Sequence, residues 1–255
     1  MNKHFQHSVP GIIRSIKIST DGLLLCVESL DKILQYPRYF IFDLKTKKLI
    51  AERLEVKKDE KIVLKAITDN HLIFNQYADG QNPDVCTAFV YNYATRSIVW
   101  EKENFNILAV NEQTVKAPHP YFENRFTFYD IKTGQDLGQE NTGKSSPISN
   151  QFPDLYPSQS QHFTWFEKFI SQVTSHKPEL CCEYLELENR LIISYYFFEG
   201  DVLVNNLLVA NDAGEVIESF PLGKNLKGIG KDTFFVVENN LIFISDKNTL
   251  HIYEV

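Results

Sequence analysis

The sequence predicts an all-β fold built from repeated four-stranded antiparallel meanders. Three observations carry that expectation. A short hairpin signature recurs along the chain, a second hairpin follows most copies of it, and the copies start about 40–50 residues apart. The first signature is an apolar strand, a tight turn on Asp, Asn or Glu, and a second apolar strand. It reads KIST-DG-LLLCV around Asp21-Gly22 and KAIT-DN-HLIFN around Asp69-Asn70. A weaker copy, ILAV-NEQ-TVKA, surrounds Asn111-Glu112. The clearest pair are LEL-EN-RLIISY at Glu188-Asn189 and FVV-EN-NLIFIS at Glu238-Asn239. Asp, Asn and Gly tolerate the left-handed backbone that tight hairpins need, so these residues are turn formers with a mechanism.

The second hairpin reads YFIFDLKTKKLIAE from Tyr39 and AFVYNYATRSIVWEKE from Ala88. It returns as RFTFYDIKTGQDLG from Arg125 and LLVANDAGEVIESF from Leu207. Two hairpins per copy make one meander, and five copies fit the chain. The last copy holds only three strands, Thr233–Val237, Leu241–Ser245 and Thr249–Glu254. The N-terminal segment His4–Val9 alternates loosely and is expected to supply its fourth, which would leave no exposed edge there. The expected organisation is a single domain over 1–255 with one insertion at about 140–180.

The repeat, with the FDLKT turn (Phe42–Thr46) and the YDIKTG turn (Tyr129–Gly134), resembles the β-propeller superfamily, in particular its irregular bacterial quinoprotein-like and WD-like members. The resemblance implies a propeller of about five four-stranded blades. It covers most of the chain and rests on hairpin spacing. The Gly-His and Trp-Asp dipeptides of true WD repeats are absent, and the chain is similar to bacterial families of this architecture that carry no known activity.

Composition narrows the function. A chain that is 43% hydrophobic and 23% charged has the apolar content for a core. A formal charge of −7 argues against a nucleic-acid or acidic-membrane partner. No apolar run is long enough to span a bilayer, and MNKHFQHSVPGIIRSIKIS lacks the apolar core of a secretion signal, so a cytoplasmic setting is expected. Cys26, Cys86, Cys181 and Cys182 fit no zinc spacing and are expected as reduced thiols, mostly buried in strands.

In an a-b-c-d meander the a–b and c–d turns share one end, and the b–c loops and the links to the next meander share the other. The b–c loops read long in the first four copies: SLDKILQYPRY, ADGQNPDV, APHPYFEN and FFEGDV. Each sets an aromatic among polar groups: Tyr36 with Arg38, Tyr77 with Asp79 and Asp84, Tyr121 with His119 and Glu123, and Phe198 with Glu199 and Asp201. Aromatics beside carboxylates and amides on loops suit recognition of a protein or peptide. Their competing role is packing beneath the next loop.

Within the insertion, 140–160 is rich in Ser, Asn, Gln, Gly and Pro and reads as loop. HFTWFEKFISQVTS then sets Phe163, Phe166, Ile170 and Val173 on one helical face, with Trp165 and Phe169 beside it. Ser158 or Ser160 is expected to cap this helix and Pro178 to bar its continuation. The stripe must be buried, either on the sheets themselves or as a lid or docking surface.

Other chemistry is weak. Gly138–Ser145 matches the phosphate-cradling pattern G-x-x-x-x-G-K-S, but it follows an antiparallel hairpin, and Pro147, Pro153 and Pro157 forbid the helix whose N-terminus would face the phosphates. Of the innermost strands only CCEYLEL carries carboxylates, Glu183 and Glu186, and glycoside hydrolysis needs two at a shared site. Ala78–Asp84 has oxygen ligands without the EF-hand spacing, and His4 and His7 fall on opposite faces of a strand. The expectation is a non-enzymatic binding or scaffolding module without cofactor or metal. A carbohydrate-acting hydrolase with an axial site at the long-loop end is the alternative.

Overall fold

The hairpin turns are held by side chains that hydrogen-bond their own backbone, which is why they could be read locally. In the computed structural model, which describes residues 4–31, 33–78, 85–139 and 150–255, Asp43 Oδ1 accepts from the Thr46 amide at 2.6 Å. Asn92 Oδ1 accepts from the Thr95 amide at 3.0 Å, and Asp130 Oδ1 from the Thr133 amide at 2.8 Å. The recurring Asp/Asn-x-x-Thr is thus one turn device used three times. Asp21 Oδ1 does the same for Leu23 N (3.0 Å) and Asn111 Oδ1 for Gln113 N (3.0 Å) in the a–b turns.

The strands these turns join begin with β1 (His4–Ser8). The first sheet is β2 (Ile12–Ile18), β3 (Leu24–Leu30), β4 (Pro37–Asp43) and β5 (Lys48–Leu54). The second is β6 (Ile62–Thr68), β7 (His71–Tyr77), β8 (Cys86–Asn92) and β9 (Ser97–Lys102). The third is β10 (Ala109–Val110), β11 (Thr114–Pro118), β12 (Phe126–Asp130) and β13 (Asp136–Gly138). Then come β14 (Asn150–Gln151), β15 (Asp154–Pro157) and α1 (Phe163–Val173). The fourth sheet adds β16 (Glu179–Leu187), β17 (Arg190–Glu199), β18 (Val202–Ala210) and β19 (Val216–Lys224) in sequence after β15. The fifth runs β1, β22 (Thr249–Glu254), β21 (Asn240–Ser245), β20 (Phe234–Val237), β14. Every pairing is antiparallel, and the fold is an all-β propeller type of about five blades.

The expected joining of the chain ends is present. β1 pairs with β22 from His4↔Tyr253 to Ser8↔Thr249. The insertion departs from its expected loop character, because β14 adds to β20 and β15 to β16. β20 and β16 each offer an edge, and these two- and four-residue pieces pair with it without a periodicity long enough to register in sequence.

The chain divides into two compact units, Met1–Val9 with Ser149–Val255, and Pro10–Ile148. In the second of these, the first two sheets bury Cys26, Tyr39, Ile41, Leu64, Ile67, Phe74 and Phe89 in one cluster. Ile73, Ala88 and Val90 on the other face of the second sheet meet Val115, Ala117 and Tyr129 of the third. In the other unit, β17 is buried on both faces, which explains an apolar run interrupted only by Ser194. Ile192 packs toward the fifth sheet with Phe234, Val236 and Phe243. Ile193, Tyr195 and Phe197, on the opposite face, pack with Phe163, Phe166 and Ile170 of α1.

The helix therefore covers its own fourth sheet. Its cap differs from expectation. His162 occupies the N-cap without a side-chain bond, and Ser160 contributes its carbonyl to Phe163 N (3.2 Å). The helix stops before Pro178: Thr174 is extended and returns its hydroxyl to Ile170 O at 2.7 Å. No helix among the described residues is long and apolar enough to cross a membrane.

Candidate functional site

The b–c loops lie at one end of each meander, and their lengths differ from the sequence reading in one case. FFEGDV is a two-residue turn, with Glu199 paired to Val202 and Gly200 at φ +63°. Glycine's freedom at that angle lets β17 and β18 run on to the tip. Phe198 is exposed there, and the Glu199 carboxylate pairs with Lys224 Nζ at 2.5 Å. The other b and c strands end farther apart along the chain: β3 at Leu30 and β4 at Pro37, β7 at Tyr77 and β8 at Cys86, β11 at Pro118 and β12 at Phe126. Asp79 and Asp84 lie outside the described residues, as do the rest of Ala78–Asp84 after Ala78 and residues 140–145 of the phosphate-loop match.

In the first loop, Tyr36 is half-buried beneath Lys58, whose Nζ sits 5.8 Å from the ring centroid. Arg38 turns to Glu55, with Nε and Nη2 at 3.2 and 3.0 Å from Oε1. Tyr77 is half-buried at the end of β7 and donates its amide to Lys61 O at 3.2 Å. These contacts all reach the link between the first and second sheets. Lys57 on that link donates to Gln76 Oε1 (2.8 Å) and Glu101 Oε1 (2.7 Å) and lies 4.2 Å over Phe89. Asp59 Oδ2 takes Gln76 Nε2 at 2.6 Å. Tyr36 and Arg38 are accordingly engaged through their side chains, and Tyr77 through its backbone amide.

The third loop is different. Tyr121 is 86% exposed and Phe122 53%. Both are propped from below. The Tyr121 amide donates to His119 Nδ1 at 3.1 Å, and the His119 ring lies 4.8 Å from Phe122. The Arg125 guanidinium sits 5.1 Å over Phe122, while the Arg125 carbonyl accepts the His119 amide at 2.8 Å. Asn124 at φ +60° reverses the chain, and Glu123 is exposed beside it. The structure thus gathers His119, Tyr121 and Glu123 into one ordered tip and leaves no ring contact or hydrogen bond among Tyr36, Tyr77 and Tyr121.

Phe122, Arg125, Lys57 and Lys58 escaped the sequence reading. The run Pro118–Arg125 held the signal for the first two, a cation three and four residues from adjacent aromatics. Lys57 and Lys58 gave none, because their partners are distant in sequence. Glu183, one of the two carboxylates on the CCEYLEL strand, is wholly buried and accepts from Asp232 N, Thr233 N and Thr233 Oγ1. Glu186 is exposed and accepts the Tyr184 hydroxyl at 2.9 Å. Burial first, then its bond to Glu186, pushes the Tyr184 phenol up to about 12.

No family model matches the sequence, and no curated protein matches it. Solved structures do. The chain is similar to BamB from Moraxella catarrhalis at 10% identity, over 96% of this chain and 86% of that one, with a TM-score of 0.33. It is similar to a DUF4221 family member from Bacteroides vulgatus at 10% identity, over 99% and 96%, with a TM-score of 0.37. It is similar to the β-propeller domain of the trilobed protease from Pyrococcus furiosus at 12% identity, over 94% and 78%, with a TM-score of 0.33. The blade assignment follows from the chain's own strand pairing: five antiparallel meanders, with the first and last strands of the chain in one sheet.

Proposed function

We propose that the chain is a non-enzymatic binding or scaffolding module that recognises a protein or peptide through its long-loop end. One observation carries the reading. Tyr121 and Phe122 project into solvent from a loop whose backbone and rings are held by His119 and Arg125. Large exposed aromatics on a pre-set tip lose little conformational entropy on binding, and such residues dominate interface energetics. Tyr36 and Tyr77 join as half-buried flanks. The hydrolase alternative is weakened because Glu183 spends its carboxylate on three donors within its own unit.

The test is selection of peptides from a displayed random library on the intact chain, followed by titration against Tyr121→Ala and Phe122→Ala. Each replacement is expected to weaken selected peptides by more than about 1 kcal/mol, roughly fivefold or more. Melting should stay within about 0.5 kcal/mol of the parent, since both side chains are exposed. Peptides whose binding ignores both replacements would remove this site. Turnover of a glycoside panel would favour the alternative.

A further inference from the structure

A second site lies at the opposite end of the Pro10–Ile148 unit, where the a–b turns of its three sheets meet a c–d turn. A cavity of about 540 Å³ opens there. Asp21, Asp69 and Glu112 reach it from the three a–b turns, and Asp130 and Lys132 from the c–d turn of the third sheet. Four carboxylates against one ammonium leave three negative charges uncompensated. The turns use only part of this acidity: Asp21 and Asp130 each commit one oxygen, Oδ1, to their own backbone. Among the described residues, the carboxylates of Asp69 and Glu112 have no hydrogen-bond partner.

His71 gives an independent sign of an occupant. It opens β7, is only 7% exposed, and lines the cavity. Its ring has no hydrogen-bond partner among the described residues, and its nitrogens are not sealed from solvent. Burial, and then the charge of Lys132, lowers its pKa, opposed by Asp69 and Asp130. A neutral imidazole keeps one nitrogen lone pair that accepts an N–H.

The cavity's dimensions suit a small organic molecule. Its charge calls for a cation, and its acceptors call for N–H donors. No three His, Cys, Asp or Glu side chains among the described residues converge closely enough for a metal ion. Carboxylates spread over four turns match charges spread along a chain. We propose that this cavity binds a small aliphatic polyamine, its ammonium groups paired with Asp21, Asp69, Glu112 and Asp130 and one N–H given to His71. This site is separate from the Tyr121 tip and does not depend on it.

Calorimetry with spermidine tests it, with magnesium chloride and a neutral trisaccharide as comparison probes. Asp69 and Glu112 are exposed turn residues, so Asp69→Asn with Glu112→Gln leaves the core intact, and Glu103→Gln at the other end of the second sheet serves as control. One-to-one spermidine binding is expected, at least tenfold tighter than magnesium, weakened at least tenfold in the double variant and unchanged in Glu103→Gln. Equal weakening in the control, or affinity no better than magnesium, would reduce the effect to diffuse surface charge and overturn the proposal. Absence of spermidine binding at millimolar concentration, or binding of the trisaccharide in its place, would overturn it as well.

Discussion

The Glu183 carboxylate accepts the Thr233 amide at 2.9 Å and the hydroxyl of the same residue, joining β16 to the segment that enters β20 across fifty positions of sequence. A third donor, the Asp232 amide, completes the set. Asp232 itself stands at φ +54°, a left-handed angle the latch helps to hold. Glu183→Gln keeps one acceptor oxygen but turns an amino group toward backbone donors. The expected cost is about 2–3 kcal/mol, since a hydrogen bond to a charged group is lost and a buried donor is left unpaired. Urea denaturation measures it, and a change below about 0.5 kcal/mol would show that the latch does not hold the two sheets.

The seam between β1 and β22 should be acid-sensitive. His251 accepts or donates to His4 Nε2 at 2.9 Å and to Ser245 Oγ at 2.7 Å, and stacks on Phe243 at 4.5 Å. Burial, with His4 beside it and Asp246 opposing, lowers its pKa to about 4. His4 is lowered too, by burial against the opposing pull of Glu218. The unfolded ring titrates near its ordinary 6.5, so between about 4 and 6.5 the unfolded chain binds the proton that the folded chain refuses. Stability is therefore full above that window and is lost as pH falls through it, with a slope of at most about 1.4 kcal/mol per pH unit for this one proton. Melting temperatures from pH 7 to 4.5 are expected to drop more steeply in the parent than in His251→Gln.

Gly11 allows a close approach that no side chain can share. It stands at φ +83°, and a β-carbon there would fall on the backbone carbonyl of Leu30. Gly200 is also left-handed, at φ +63°, but open space surrounds it. Gly11→Ala should cost about 2–4 kcal/mol and Gly200→Ala about 1 kcal/mol, the difference being the clash with backbone that cannot rotate away. Equal thermal shifts for the two would refute the role given to Leu30.

The four thiols should be inert in the folded chain. All are buried and none is in a disulfide. Burial pushes Cys181 up to about 11 and raises Cys182 and Cys26 further, with Glu183 and Glu28 adding to the first and last of these. Cys86 lies 3.1 Å from Phe105 O. Thiolate is the reactive form, so Ellman's reagent at pH 8 should find almost no thiol in the native chain and four equivalents in guanidinium. Rapid native labelling of one site would mark it as accessible.

Sequence alone determined what is decided within a few residues. The capping of turns by Asp21, Asp43, Asn92, Asn111 and Asp130 acts over two or three positions, so strand order and blade count were legible, as was the apolar face of Phe163, Phe166 and Ile170. The meeting of β1 with β22 was legible for a different reason: three strands at one end and a spare strand at the other left one solution. Tertiary structure decided everything that depends on distant partners. The sequence could not say what the buried Glu183 carboxylate bonds, because Thr233 comes from fifty positions away, nor that Tyr36 lies beside Lys58 and Arg38 pairs with Glu55. Asp21, Asp69 and Glu112 read as turn residues, because backbone capping and ligand binding ask for the same side chains. Only the juxtaposition of three turns around His71 separates the two roles, since charge accumulates in space and not along the chain.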